Sequence, residues 1–186
     1  MVKNPISISG SFAAWQPSTW PVAPSKWNVS LIGTLREIFE KSILNEIDSV
    51  IADAGGNLEG CGHVVAIALL CALDGISSYG YGARSGKQVP EFVREHFPLE
   101  YRSHATPLLK LYRHAMVHSW NLFEAGLLTG DEPVGVNNGV IYFGLRNFRD
   151  AISEAMNDYL KDLVSDKKLQ AKTLQRYKQL KASAKG

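Results

Sequence analysis

Cysteine is scarce: Cys61 and Cys71 are the two in 186 residues, too few for a disulfide framework or a thiolate metal cluster. A reducing setting is expected, and Cys71, inside an apolar run, reads as core. Long hydrophobic runs are also missing. The longest, Val64 to Leu73, has ten residues, against the roughly 20 of a membrane helix. The start, MVKNPISISG, has no apolar stretch of the secretory kind. The expectation is a cytoplasmic protein without membrane association. Charge of one sign is lacking as well, with a net of +2. From Lys161 onward there are eight Lys/Arg and two Asp/Glu, and before it twelve and sixteen. The basic character therefore belongs to the tail, and the body has no general nucleic-acid charge signature. Internal repeats and low-complexity tracts are absent.

An apolar fraction of 45% suffices for a core, and the length suits one domain with appendages. Residues 1–28 read as an irregular arm. Pro5, Pro17, Pro21 and Pro24 forbid a continuous helix, while Trp15, Trp20 and Trp27 make it too apolar for a free tail. Self-packing across the body, or capture of an unidentified protein partner, would each use those tryptophans.

Residues 29–164 form the expected helical domain. Ser30 is a candidate N-cap of a long helix to about Ala54, with Leu31, Leu35, Ile38, Phe39, Ile43, Ile47, Val50 and Ile51 at helical spacing. Gly55-Gly56 ends it, and Gly60 and Gly62 bracket Cys61 in a turn without a phosphate-loop signature. His63 to Tyr79 is apolar nearly all round until Asp74 and is the expected central helix. Gly80, Gly82 and Gly86 mark its exit. In that loop Arg84 and Lys87 are candidates to reach a phosphate, with solvated loop charge as the plainer reading. Val89 to His96 is a short helix stopped by Phe97-Pro98, and another helix begins near Ser103 to Pro107. Asn121 to Leu128 and Val140 to Leu145 read as two strands of a β-hairpin, with Asn138-Gly139 in the join. Near Asn147 a last long helix opens, with Phe148, Ile152, Ala155, Met156, Tyr159, Leu160 and Leu163 on one face. Residues 165–186 read as a basic tail, an exposed helix that frays near Ala182 and either holds RNA phosphates or stays solvated.

Leu108 to Asn121, LLKLYRHAMVHSWN, sets polar groups on an otherwise apolar element. Arg113 precedes His118 by five positions, His114 follows the arginine, and Trp120 lies two past His118. Burying a guanidinium beside an imidazole is costly unless something pairs with it. The stretch resembles the R-x-x-x-x-H motif of the HEPN superfamily, small all-helical domains of prokaryotic toxins, RNA-processing enzymes and defence proteins. The resemblance extends loosely over Ser30 to Val164. Trp120 stands where many members carry Tyr. The resemblance implies an antiparallel helical bundle, here with a small β-hairpin insertion near 121–145. It also implies a homodimer whose two motifs face one cleft.

In a regular helix, five residues rotate a side chain by about 140° and raise it about 7.5 Å. Arg113 and His118 then share no stripe, whereas His114 and His118 do. Joint action needs the helix to end at His118, or a second copy. The chemistry so implied is RNA cleavage without metal or cofactor. His118 would move protons for the ribose 2′-hydroxyl, Arg113 would hold the phosphate, and His114 would orient it or carry the second proton. Trp120, Arg84 and Lys87 are candidate substrate contacts. The alternative is a non-catalytic dimerisation or regulatory protein, with Arg113 paired to Asp74 or Glu124 and His118 on a helix-end carbonyl. His114 and His118 also have zincin spacing, but Ala115 replaces the catalytic Glu and no third ligand is evident, so no metal site is assigned. His63 and His96 read as loop or helix-end histidines, and His104 as a partner of a helix start.

Overall fold

A computed structural model describes residues 27–54, 58, 61–82, 87–110, 125–128 and 131–183. The chain is mostly helical. Helix α1 is Trp27–Arg36, a π-helical turn follows over Glu37–Leu44, and α2 is Asn45–Asp53. The rest comprises α3 (Gly62–Tyr81), α4 (Val89–His96), α5 (Leu99–Arg102), α6 (Ala105–Lys110), β1 (Ala125–Leu128), β2 (Gly135–Asn137), β3 (Val140–Gly144), α7 (Leu145–Ser165) and α8 (Lys167–Ser183).

The expected first helix is one rod from Trp27, so Trp27 and Asn28 are helical rather than part of an arm, and Ser30 lies inside the helix. Its buried residues are Leu31, Leu35, Ile38, Phe39, Leu44, Ile47 and Ile51. From Phe39 to Leu44 the step is five, longer than an α-helical turn. The widened turn absorbs it: the Asn45 N–H reaches back to the Glu40 carbonyl. Ile43 is therefore only partly buried, while Leu44 takes the core position.

Helix α3 is central, as its composition predicts, and α4, α7 and α8 pack around it. It is long and apolar enough to cross a membrane by length and composition, yet 61% of that window is buried inside the protein. One stripe is not covered by the described residues. Val64 is 51% exposed and Cys71 is exposed. The reading of Cys71 as core is thus corrected: a helix apolar all round hides which stripe lacks a neighbour. At its far end α3 approaches α7 and α8 closely. A Cβ on Gly80 would stand 2.9 Å from Tyr159 and 3.1 Å from Leu169. Gly80→Ala is therefore expected to cost about 1–3 kcal/mol by overpacking, read as a lower urea midpoint at unchanged slope.

The sheet corrects the strand pairing. Both expected strands exist as β1 and β3, but they pair in parallel, Ala125 opposite Ile141 and Leu128 opposite Gly144. The segment between them holds the extra strand β2, and two reversals restore the direction. The order is β1-β3-β2, and the hairpin is β2–β3, with Gly135 opposite Tyr142 and Asn137 opposite Val140. Asn138 and Gly139 make its turn with φ of 52° and 79°, the left-handed pair a two-residue hairpin requires. Ile141 and Phe143 point into the core.

The basic tail corrects the expectation of a solvated end. It is helical, but Leu169, Thr173 and Tyr177 are buried, and α8 lies along α3 and α7. Asp166 opens the helix by accepting the N–H groups of Lys168 at 2.7 Å and Leu169 at 3.1 Å, an N-cap. Those amide hydrogen bonds lower its pKa, so the cap holds above the carboxylate range and weakens as acid protonates it. Tyr159 reaches the Thr173 hydroxyl at 2.7 Å, and Thr173 donates to the Leu169 carbonyl at 2.8 Å.

Candidate functional site

The motif residues Arg113, His114, His118 and Trp120, and Arg84 in the glycine loop, lie outside the described residues. Lys87 is described and sits exposed in the turn before α4. Among the described residues the structure therefore brings none of these together. It places α6 immediately before the motif segment and β1 immediately after it. Asp74, the carboxylate weighed as a partner of Arg113, accepts a hydrogen bond from Gln88 at 2.6 Å. His63 lies exposed in the first turn of α3. The His104 carbonyl accepts the Leu108 N–H at 2.9 Å, so His104 does sit at a helix start.

The described chemistry gathers at His96 instead. Pro90 suits the first turn of α4, and Phe97, extended before Pro98, stops the helix after His96. His96 is at a helix end, as expected, but its side chain is only 2% exposed. Aromatic rings enclose it, with centroids at 5.0 Å (Phe92), 5.6 Å (Tyr159) and 6.0 Å (Tyr81). A buried imidazole needs partners for both nitrogens. Nδ1 lies 3.0 Å from Oδ2 of Asp158 and 3.8 Å from Oδ2 of Asp162. Nε2 lies 2.9 Å from the Tyr81 hydroxyl, which donates its own proton to Oε2 of Glu95. Nζ of Lys172 stands 5.7 Å from the centre of the Tyr81 ring, within cation–π range.

Carboxylate, imidazole and hydroxyl in a row have the order of a nucleophilic triad. This row does not work as one. Burial, and then the Glu95 carboxylate, push the Tyr81 phenol far above its ordinary range, and its proton is already committed to Glu95. The arrangement does not generate a phenolate. Beside it lies an open groove of about 830 Å³, lined by His96, Leu99, Arg102, Arg149, Asp158 and Lys161 among others. Arg149 grips Asp48 through Nε at 2.7 Å and a second hydrogen bond, which ties α7 to α2.

Sequence reasoning missed this cluster because Asp158 is 62 positions from His96. The available signal was weak: Asp158 and Asp162 repeat at i, i+4 on α7, a like-charge pair that costs stability unless a cation stands near. Comparison of the chain with family models, curated proteins and solved structures finds no match.

Proposed function

We propose that the chain is a HEPN-like domain that cleaves RNA without a metal ion, working as a homodimer whose two motifs share a cleft. One observation carries this reading: the sequence Arg113-His114-Ala115-Met116-Val117-His118. The described structure supports it with context. The segment lies between α6 and β1 on a mostly helical body that carries a small hairpin. Lys167, Lys168, Lys172 and Lys178 are exposed on α8, opposite its buried stripe, and supply cations for a phosphate chain.

In the proposed reaction, His118 takes the proton from a ribose 2′-hydroxyl. The oxygen attacks the adjacent phosphorus, and the bond to the 5′ oxygen breaks. A second imidazole, His114 or the second copy's His118, protonates the leaving oxygen. Arg113 pairs with the phosphate oxygens as charge grows on them. DNA lacks the attacking hydroxyl and is inert. The test is cleavage of single-stranded RNA in chelator by a sample of established oligomeric state. His118→Ala is expected to lower turnover by at least about 100-fold. Equal turnover in the variant removes His118 from the chemistry. No cleavage by the wild type leaves the non-catalytic dimerisation or regulatory reading, with Arg113 and His118 as structural groups.

A further inference from the structure

Three links join Asp158 to His96, His96 to Tyr81, and Tyr81 to Glu95. Tyr81 gives its proton to Glu95, so its oxygen accepts from Nε2 of His96. On the other side of the buried ring, Nδ1 faces two carboxylate oxygens, Oδ2 of Asp158 at 3.0 Å and Oδ2 of Asp162 at 3.8 Å.

We propose that a divalent first-row cation occupies this position, held by Nδ1 of His96 and by Oδ2 of Asp158 and Asp162. The three atoms lie within 4.8 Å of one another, as ligands around one ion do. Nitrogen and oxygen donors without sulfur fit Zn²⁺ or Mn²⁺, and the imidazole disfavours Mg²⁺. The aspartate side chains are 44% and 58% exposed, which leaves an entry path and room for water ligands. Tyr81 and Glu95 form the outer support: a metal-bound histidine typically donates its other N–H to an oxygen that fixes its tautomer. The cation ties the end of α4 to α7. None of its three ligands belongs to the motif segment.

The experiment is calorimetric titration of the chelator-stripped full chain with ZnCl₂, MnCl₂ and MgCl₂, with thermal unfolding alongside. One equivalent of Zn²⁺ is expected to bind, more tightly than Mn²⁺, with a raised Tm, and Mg²⁺ to give neither. The double variant Asp158→Asn, Asp162→Asn keeps the fold, since both side chains reach solvent, and is expected to lose at least tenfold in affinity. Tyr81→Phe is expected to lose about 10–100-fold. His63→Ala, remote in sequence from the cluster, keeps wild-type affinity. Absence of binding by the wild type at millimolar Zn²⁺ would overturn the proposal. Unchanged affinity in the double variant would overturn it equally.

Discussion

Ending the chain at Ser165 is expected to unfold it. The removed segment looks dispensable by composition, yet it supplies Leu169, Thr173 and Tyr177 to the interior. Burying a leucine or a large aromatic contributes about 1.5–3 kcal/mol each. Tyr159, 1% exposed, would also lose the hydroxyl it reaches on Thr173 and its cover from water. Leu169 covers the close approach at Gly80, so the end of α3 would face water. These losses reach on the order of 5 kcal/mol or more, the lower end of total domain stability. Urea unfolding followed by far-ultraviolet circular dichroism should show no cooperative transition in the truncated chain. A transition within about 1 kcal/mol of the full chain would refute the integration of α8 into the core.

Phe92→Ala should be the most damaging single substitution in α4. Phe92 is fully buried, with ring neighbours Tyr81 at 6.0 Å, His96 at 5.0 Å, Phe97 at 6.1 Å and Tyr159 at 5.8 Å. Four rings held on three helices cannot collapse into the space a phenyl leaves. The expected cost is about 3–5 kcal/mol, or about 6–20 °C in Tm for a chain of this size. Phe92→Leu, which fills more of the hole, should cost clearly less. Equal costs for the two would mean that the site relaxes and that the aromatic cluster is not rigid. Stability is read from the urea midpoint, with the slope checked for constancy.

What could be read from the sequence was local. The stop after His96 rests on Phe97-Pro98, and the β2–β3 turn on Asn138-Gly139; both act through neighbouring backbone. Central placement of α3 followed from its apolar surface. What escaped was set by partners distant in the chain. Leu169, Thr173 and Tyr177 are spaced by four among lysines, a stripe too narrow to stand out until α3 is laid against it. Cys71 looked buried because nothing along α3 marks its one uncovered side. Strand direction was invisible because β2 is only three residues long. The His96 cluster needed α3, α4 and α7 assembled before its donors and acceptors could be matched.

The five-residue step at Phe39–Leu44 gives the first rod a spare position. With one residue fewer between those two, Leu31, Leu35, Phe39, Leu44, Ile47 and Ile51 would still line one side of an ordinary α-helix. The same loss elsewhere along the rod would swing every later side chain by about 100°. A one-residue deletion in this helix would thus be absorbed at a single place, where an expansion joint keeps both halves in phase with the interior.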